Sequence, residues 1–257
     1  MDLGLKGKVF VVGGGSKGLG NAVATVLVEE GARVLLVSRP GAALDAAVAK
    51  LGASAIACPA DVTDPGAAEA VAAAVDTHFG GKIDGLVVNQ GGSPGGKALE
   101  LTDEQWLQSY QLLIGGPMRL LRLLVPKIND GGAILFITST SVRQTIANLD
   151  TSNVLRPGVT ALAKTLSREL APRIRVNSLA PGRFDTDRVR SLDEARAQAQ
   201  GITAETAKSD SMKSIPLGRY GEPIEFGRVG AFLLSPAASY VSGLAAHADG
   251  AMTTSLP

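Results

Sequence analysis

Short apolar runs alternate with longer Ala-rich stretches in which apolar residues recur every three or four positions, a rhythm that holds over the first two-thirds of the chain. Apolar runs of this length predict strands buried on both faces, as in a parallel sheet covered by helices. The predicted strands are Lys8–Val12, Arg33–Ser38, Ser54–Cys58, Gly85–Asn89, Ala133–Thr138 and Arg175–Leu179, with a shorter seventh at Leu244–Ala248. Between the first two, Leu19, Val23, Val26 and Leu27 share one helical face, and Gly31 stands where a left-handed helix end is expected. A long helix is predicted over Asp103 to Ile128, with Pro126 near its end, and another through Thr160–Leu170. The charged segment Arg183–Arg219 departs from the rhythm, with helix formers around Leu192–Ala199 and no strand. Its length predicts either a lid over a site or a solvated excursion.

With 257 residues and no internal repeat or linker, the whole chain, residues 1–257, reads as one α/β domain. Twenty-five basic and twenty-four acidic residues leave a net charge of +1, with no run of like charge that would draw nucleic acid or a membrane. The single cysteine, Cys58, excludes an internal disulfide and reads as a small buried residue at a strand end. With only His78 and His247 beside it, no metal site is expected. The N-terminal residues lack the basic and apolar regions of a signal peptide, and no apolar stretch is long enough for a membrane helix, so a cytoplasmic location is expected.

The first candidate chemistry is the run Val9 to Gly20, a strand leading into Gly13-Gly14-Gly15-Ser16-Lys17-Gly18-Leu19-Gly20 and then a helix. Glycines let the backbone turn tightly and approach a pyrophosphate, whose charge is favoured by free N–H groups at the helix N-terminus. A strand before it, an amphipathic helix after it and a second strand about twenty residues on are the context that makes such a loop a dinucleotide site. The fold class that follows is a Rossmann-type doubly wound sheet of about seven mostly parallel strands, with helices on both faces. Where an NAD site carries Asp or Glu at the end of its second strand, this chain has Ser38-Arg39. Arg39 offers a planar fork to a 2′-phosphate and Lys17 adds a second positive charge, so the expected cofactor is NADP(H).

On these and further motifs the chain resembles the short-chain dehydrogenase/reductase family over about residues 5 to 252, in particular its 3-oxoacyl-carrier-protein-reductase-like members. Gly14-x-x-x-Gly18-x-Gly20 matches the family's glycine loop, and Asp61-Val62 the pair beside the adenine. Asn89-Gln90-Gly91 stands at its Asn-Ala-Gly, and Pro181-Gly182-Arg183-Phe184-Asp185-Thr186 at its Pro-Gly turn and nicotinamide-facing Thr. The stretches Pro216–Pro223 and Ala248-Asp249-Gly250 match its C-terminal third. The resemblance implies a cofactor site made of Gly14, Ser16, Lys17, Gly18, Leu19, Gly20, Ser38, Arg39, Asp61, Val62, Asn89, Gly91, Arg156, Pro181, Gly182, Phe184 and Thr186. It also implies a homotetramer or homodimer built from the long helices and the C-terminal strand.

The family's catalytic group is an Asn, a Ser, a Tyr thirteen residues after the Ser and a Lys four residues further. Ser139 matches the Ser, but the other positions hold Leu113, Ser152 and Arg156. A phenol with a reference pKa of about 10 can be tuned to donate a proton; an aliphatic hydroxyl is a far weaker acid, and an arginine keeps its charge and joins no proton relay. Ser152 reads either as a catalytic residue or as the N-cap of a helix beginning near Thr151–Asn153, which would place Pro157 in the first turn. Arg143, Asp150, Arg183 and Asp185 are further ionisable groups near this crevice, of which Asp150 and Arg143 are candidates for holding an anionic substrate or supplying an acid, and Tyr110 is a candidate substitute phenol. Two functions are expected in competition. One is an NADP(H)-dependent oxidoreductase of small or medium organic substrates with a nonstandard proton donor, its catalytic set being Ser139, Ser152 and Arg156. The other is a non-redox isomerase, cyclase or NADP(H) sensor on the same scaffold.

Overall fold

A computed structural model describes residues 1–255. The strands are β1 (Val9–Gly13), β2 (Arg33–Ser38), β3 (Ala55–Pro59), β4 (Ile83–Val88), β5 (Ile128–Ile137), β6 (Ile174–Pro181) and β7 (Ala245–Ala248). They form one sheet in the order β3-β2-β1-β4-β5-β6-β7, and every neighbouring pair is parallel. Each parallel connection needs a crossover, supplied by α1 (Gly18–Glu29), α2 (Ala42–Leu51), α3 (Ala67–Phe79), α4 (Asp103–Tyr110), α5 (Gly116–Leu124), α6 (Asp150–Glu169) and α9 (Pro223–Leu234). The fold is thus the expected Rossmann-type doubly wound sheet, parallel throughout where only a mostly parallel one was anticipated.

Alternation along the strands divides the interior into two cores. Phe10 and Val12 of β1 pack with α1 and α9 through Val23, Leu27 and Phe226, whereas Val11 faces Val71 and Val75 of α3 on the other side. Leu135 and Ile137 of β5 join the first core, and Ile134 and Phe136 join the second with Leu120, Leu124 and Val159. Phe10, Phe136 and Phe226 are fully buried, each such side chain contributing about 1.5–3 kcal/mol. Cys58, at the end of β3, is buried as expected, and burial pushes its thiol pKa up, which leaves it unreactive.

The long helix expected over Asp103–Ile128 is broken. After α4 the backbone takes a π turn over Gln111–Gly115, closed by Gly116 N–H donating to the Gln111 carbonyl, and α5 then ends before Ile128, which opens β5. Pro117 is the physical reason: it has no N–H for the turn before it, and Gly115-Gly116 accepts the slipped register. Gly116 also packs so tightly that a Cβ there would lie 2.2 Å from the Val62 carbonyl oxygen.

The expectation for α6 is corrected as well. The helix begins at Asp150, with Leu149 in the cap position, so Ser152 is not its N-cap and Pro157 lies inside the helix rather than in its first turn. Asn153, whose carbonyl Pro157 cannot serve, instead ties the start of the helix to the preceding loop, its side chain bonding both N–H and C=O of Ile146 at 2.9 Å.

Residues 183–219 carry two helices, α7 (Asp187–Gln200), which spans the helix formers expected around Leu192–Ala199, and α8 (Ala204–Lys213). They are fastened by charge. Asp193, 3% exposed, accepts from Arg183 and from the Tyr220 hydroxyl, both at 2.8 Å. Asp185 pairs with Lys208 at 3.0 Å and with Arg190, and these cations hold its carboxyl below the usual carboxylate range, the Lys208 hydrogen bond most strongly. Asp193→Ala is expected to leave Arg183 and Tyr220 without their shared acceptor, at a cost of about 2–3 kcal/mol. The check is limited trypsin digestion: cleavage at Arg190 or Arg196 should accelerate well before the sheet unfolds, and an unchanged rate would show that the segment is held by other contacts.

Candidate functional site

The strand order places β2 and β3 on one side of β1 and β4 to β7 on the other, so the connections leaving β1 and β4 diverge and open a crevice at their C-terminal ends. One wall is the glycine turn. Gly14 (φ +58°) and Gly18 (φ +57°) occupy the left-handed region that side chains disfavour. A Cβ on Gly14 would lie 2.6 Å from Asn89 Nδ2, and one on Gly20 would lie 2.5 Å from the Gly14 carbonyl oxygen. Asn89 closes this contact by donating to the Gly13 carbonyl at 3.2 Å. The packing needs glycine for its closeness as well as for its torsions.

Ser16 and Ser38 share a hydrogen bond of 2.8 Å between the tips of the first loop and of β2. Beyond them Arg39 is exposed and, among the described residues, has no ion pair. Lys17 is exposed at the cap of α1, its ammonium 3.9 Å from Asp187. Leu19 is half-buried against the first core. Asp61 turns its carboxylate inward onto Thr63 N and Oγ1, at 3.0 and 2.7 Å. The Val62 carbonyl accepts from Arg119, which reaches back from α5. Gly91 is open to solvent.

The opposite wall begins where β6 ends. Pro181 pairs with Ala248 of β7, and Gly182 packs against Asp249, where a Cβ would come within 2.5 Å of its Cα. Phe184 points away from the crevice into the first core, edge-on to Phe226 at 5.3 Å, so only its backbone borders the opening. Thr186, buried, caps α7 by accepting from Val189 N, and its methyl carbon would lie 3.8 Å from a Cβ on Gly18. These contacts bring the start of α7 to the glycine loop.

Behind the crevice stand the altered catalytic positions. Ser139 follows β5 and accepts a hydrogen bond from Ser141 N at 3.1 Å. The Ser152 hydroxyl lies 3.3 Å from that of Ser141, in the first turn of α6. Ser141 itself gave no sequence signal apart from the hydroxyl-rich run in which it sits. Arg156 is 9% exposed; its Nη1 donates to the Ile137 carbonyl at 2.9 Å, and its Nε is buried with no partner among the described residues. Burial, and secondarily the charge of Arg188, lowers its pKa to about 10. Arg156 therefore remains charged at neutral pH.

Three other candidates do not assemble here. Leu113 is buried in the second core. Asp150 is occupied by Ala98 N at 2.9 Å and Asn153 Nδ2 at 3.0 Å. Tyr110 is 44% exposed and covers Gly115, whereas Leu113 faces inward. Arg183 and Asp185 belong to the fastening of α7 and α8, and Arg143 is exposed on the loop after Ser139. A residue the motifs did not single out, Arg188, reaches back to donate to the Ser93 carbonyl at 3.5 Å. Its only signal is its place two residues after Thr186. Among the described residues no cluster of His, Cys, Asp and Glu could hold a metal ion, and no helix is long and apolar enough to cross a membrane.

Comparison with known proteins accounts for this architecture. Residues 14–253 match the family model described as Enoyl-(Acyl carrier protein) reductase. The 3-oxoacyl-(acyl-carrier-protein) reductase FabG of Vibrio cholerae is 30% identical over 253 residues, covering 97% of this chain and 99% of that protein. The crystal structure of L-sorbose reductase from Gluconobacter frateurii, complexed with NADPH and L-sorbose, superposes with a TM-score of 0.94 at 31% identity, covering 100% of both chains. An NADPH-bound short chain oxidoreductase from Pseudomonas aeruginosa PAO1, described as containing an atypical catalytic center, superposes with a TM-score of 0.85 at 32% identity, over 97% of this chain and 98% of that one. Shared motifs, strand order and coverage together place this chain in the short-chain dehydrogenase/reductase family.

Proposed function

We propose that this protein is an NADP(H)-dependent oxidoreductase that works without the family's Tyr-Lys pair. The observation that carries the cofactor assignment is Arg39, unpaired and exposed beside a glycine cradle that a single Cβ would fill. The residues present fit the dinucleotide. Gly14, Gly18 and Gly20 leave room for the pyrophosphate at the start of α1, with Lys17 and Leu19 completing that loop. Ser16, Ser38 and Arg39 stand where a 2′-phosphate would lie, and no carboxylate at the end of β2 repels it. Asp61 and Val62 border the adenine side. Asn89, Gly91, the Pro181-Gly182 turn, the Phe184 backbone and Thr186 would border the nicotinamide side, and the buried Arg156, whose Nε has no partner among the described residues, would serve the ribose.

When bound, NADPH supplies hydride to an electrophilic C=O, C=C or C=N carbon and leaves as NADP+, while one proton from another source completes the reduction. In this chain Ser139 positions the substrate oxygen. Ser152 stays a hydroxyl, since nothing beside it would ionise an aliphatic alcohol. Arg156 holds a fixed positive charge where negative charge develops, which stabilises a transition state without donating its proton. The proton then comes from water or from the substrate, which suits an activated alkene or an already protonated imine better than a plain ketone. Helices α7 and α8 form the lid within a single domain, and exposed Leu107, Tyr110 and Val154 on α4 and α6 supply the faces for a homotetramer or homodimer.

The direct test mixes the protein with NADPH deuterated at nicotinamide C4 and a panel of ketones, enones and imines. Deuterium should appear on the acceptor carbon of an enone or imine product; absence of transfer to every acceptor would refute the redox assignment in favour of a non-redox role. Arg39→Ala should weaken NADPH by about thirtyfold or more and NADH by less than about threefold. Equal losses in a binding titration would remove the NADP(H) preference. Arg156→Met replaces a buried cation that has no carboxylate with a side chain of similar length. The cofactor-free protein should gain about 1–2 kcal/mol, a rise in Tm of about 2–8 °C, while the stabilisation conferred by NADPH shrinks. A fall in Tm would mean that Arg156 serves the fold alone.

A further inference from the structure

The inner end of the crevice carries more positive charge than its carboxylates neutralise. Asp185 is paired with Lys208 and Arg190, Asp187 with Arg190 and more distantly Lys17, and Asp193 with Arg183. Asp150 is held by Ala98 N and Asn153 Nδ2. Among the described residues this leaves Arg156 and Arg188 with no ion pair, besides Arg143, which is exposed on the loop after Ser139.

Arg188 is exposed, yet its side chain leans over the crevice instead of extending freely from the surface. From the first turn of α7 its guanidinium lies across the crevice onto Gly92, where a Cβ would come within 2.8 Å of Arg188 Cζ, Nε and Nη2. Its Nη2 donates to the Ser93 carbonyl at 3.5 Å. The Ser93 hydroxyl in turn accepts from Thr151 Oγ1 at 2.8 Å, and Thr151 is buried immediately before Ser152. These contacts place Arg188 against the wall that carries the altered catalytic position. Behind that wall Arg156 is 9% exposed with an unpartnered Nε. An exposed guanidinium at the opening, with a buried one close enough behind it to feel its charge and the nearby carboxylates committed elsewhere, makes an anion receptor.

We infer that the substrate carries a carboxylate that docks on Arg188, so that the crevice selects anionic over neutral compounds. This rests on the NADP(H) reading above and adds to it the substrate's charge. A guanidinium fork matches a carboxylate in two parallel hydrogen bonds, and Arg188 gives up only a long contact with a neutral carbonyl to make them. The cofactor's diphosphate is the other anion that could reach the same fork, and the test separates the two.

The full chain is first titrated with NADP+ alone, then at NADP+ saturation with butyrate, 2-oxobutyrate and succinate and with the corresponding uncharged amides, by calorimetry. The native protein should bind at least one acid about tenfold more tightly than its amide. Arg188→Gln should abolish that preference, and Arg188→Lys should restore part of it. Gly92→Ala, which displaces the guanidinium without removing it, should weaken acid binding too. In all three variants NADP+ affinity should stay within about twofold of native and Tm should not change. The inference is overturned if acids and amides bind alike, if none of the acids binds, or if Arg188→Gln keeps the preference. It is also overturned if Arg188→Gln loses about tenfold in NADP+ affinity before any acid is added, since the guanidinium then serves the diphosphate. A native chain that fails to bind NADP+ in the first titration overturns the cofactor reading itself, a result distinct from all of these.

Discussion

Everything at the crevice depends on how closely the turn after β1 approaches the end of β4. Asn89 sits against Gly14 and Gly20 at distances that admit no Cβ and close against Gly13, where its amide closes the contact. Because β1 and β4 are neighbours in the sheet while their connections run to opposite faces, this contact sets the floor of the opening. The walls follow from it. Gly18 starts α1 next to Thr186, Thr186 caps α7, and α7 carries Arg188 back to Gly92 and Ser93 just beyond Asn89. Closure of that circuit therefore relies on one tightly packed backbone junction.

The two buried arginines show what burial of a charge accomplishes in each half of the molecule. Arg175 on β6 donates to the carbonyls of Leu233 and Ser235 at 2.9 and 2.8 Å, and to that of Val241 at 3.3 Å. It thus satisfies the end of α9, where a cation also complements the helix dipole. Arg156, equally hidden, has one carbonyl and an idle Nε. Structural need explains the first; it does not explain the second, since a desolvated cation without a counter-ion is costly to the fold. The proposed cofactor role gives such a charge a purpose, and Arg188 beside it deepens the cost, as the depression of the Arg156 pKa, caused first by burial, reflects.

Most of the sheet was legible because parallel strands buried on both faces leave apolar runs, and the seven expected strands differ from β1 to β7 mainly at their ends. β5 is the largest difference: it starts five residues earlier than expected, at Ile128, through the polar stretch Asn129-Asp130-Gly131 that no apolar pattern reveals. The helices were less legible, and for one reason: a proline's consequence depends on what surrounds it. Pro117 slips the backbone into a π turn because two glycines precede it, whereas Pro157 is tolerated inside α6 with its ring exposed to solvent. At the site, motif residues such as Gly14 and Thr186 could be located by spacing alone. Phe184 could not be read correctly from its motif, since its neighbour Gly221 makes room for the ring in the core. Ser141 and Arg188 were invisible for a different reason: their partners, Ser152 and Ser93, are distant in sequence.

The altered positions make better sense as a coordinated change of chemistry than as decay. Position 113 holds Leu where the family carries an amide, and the π turn around it is held by other groups: Gly116 against the Val62 carbonyl and Arg119 bonding Gln111, Val62 and Thr63. The frame of the crevice is therefore independent of the side chain at 113. Decay would not be expected to keep a buried cation at 156, where a leucine or methionine would cost the fold less. What the site gives up is the proton donor; what it keeps, in Arg156 and Arg188, is positive charge. A reaction that develops negative charge on its substrate but draws its proton from solvent requires that combination and has no use for a phenol.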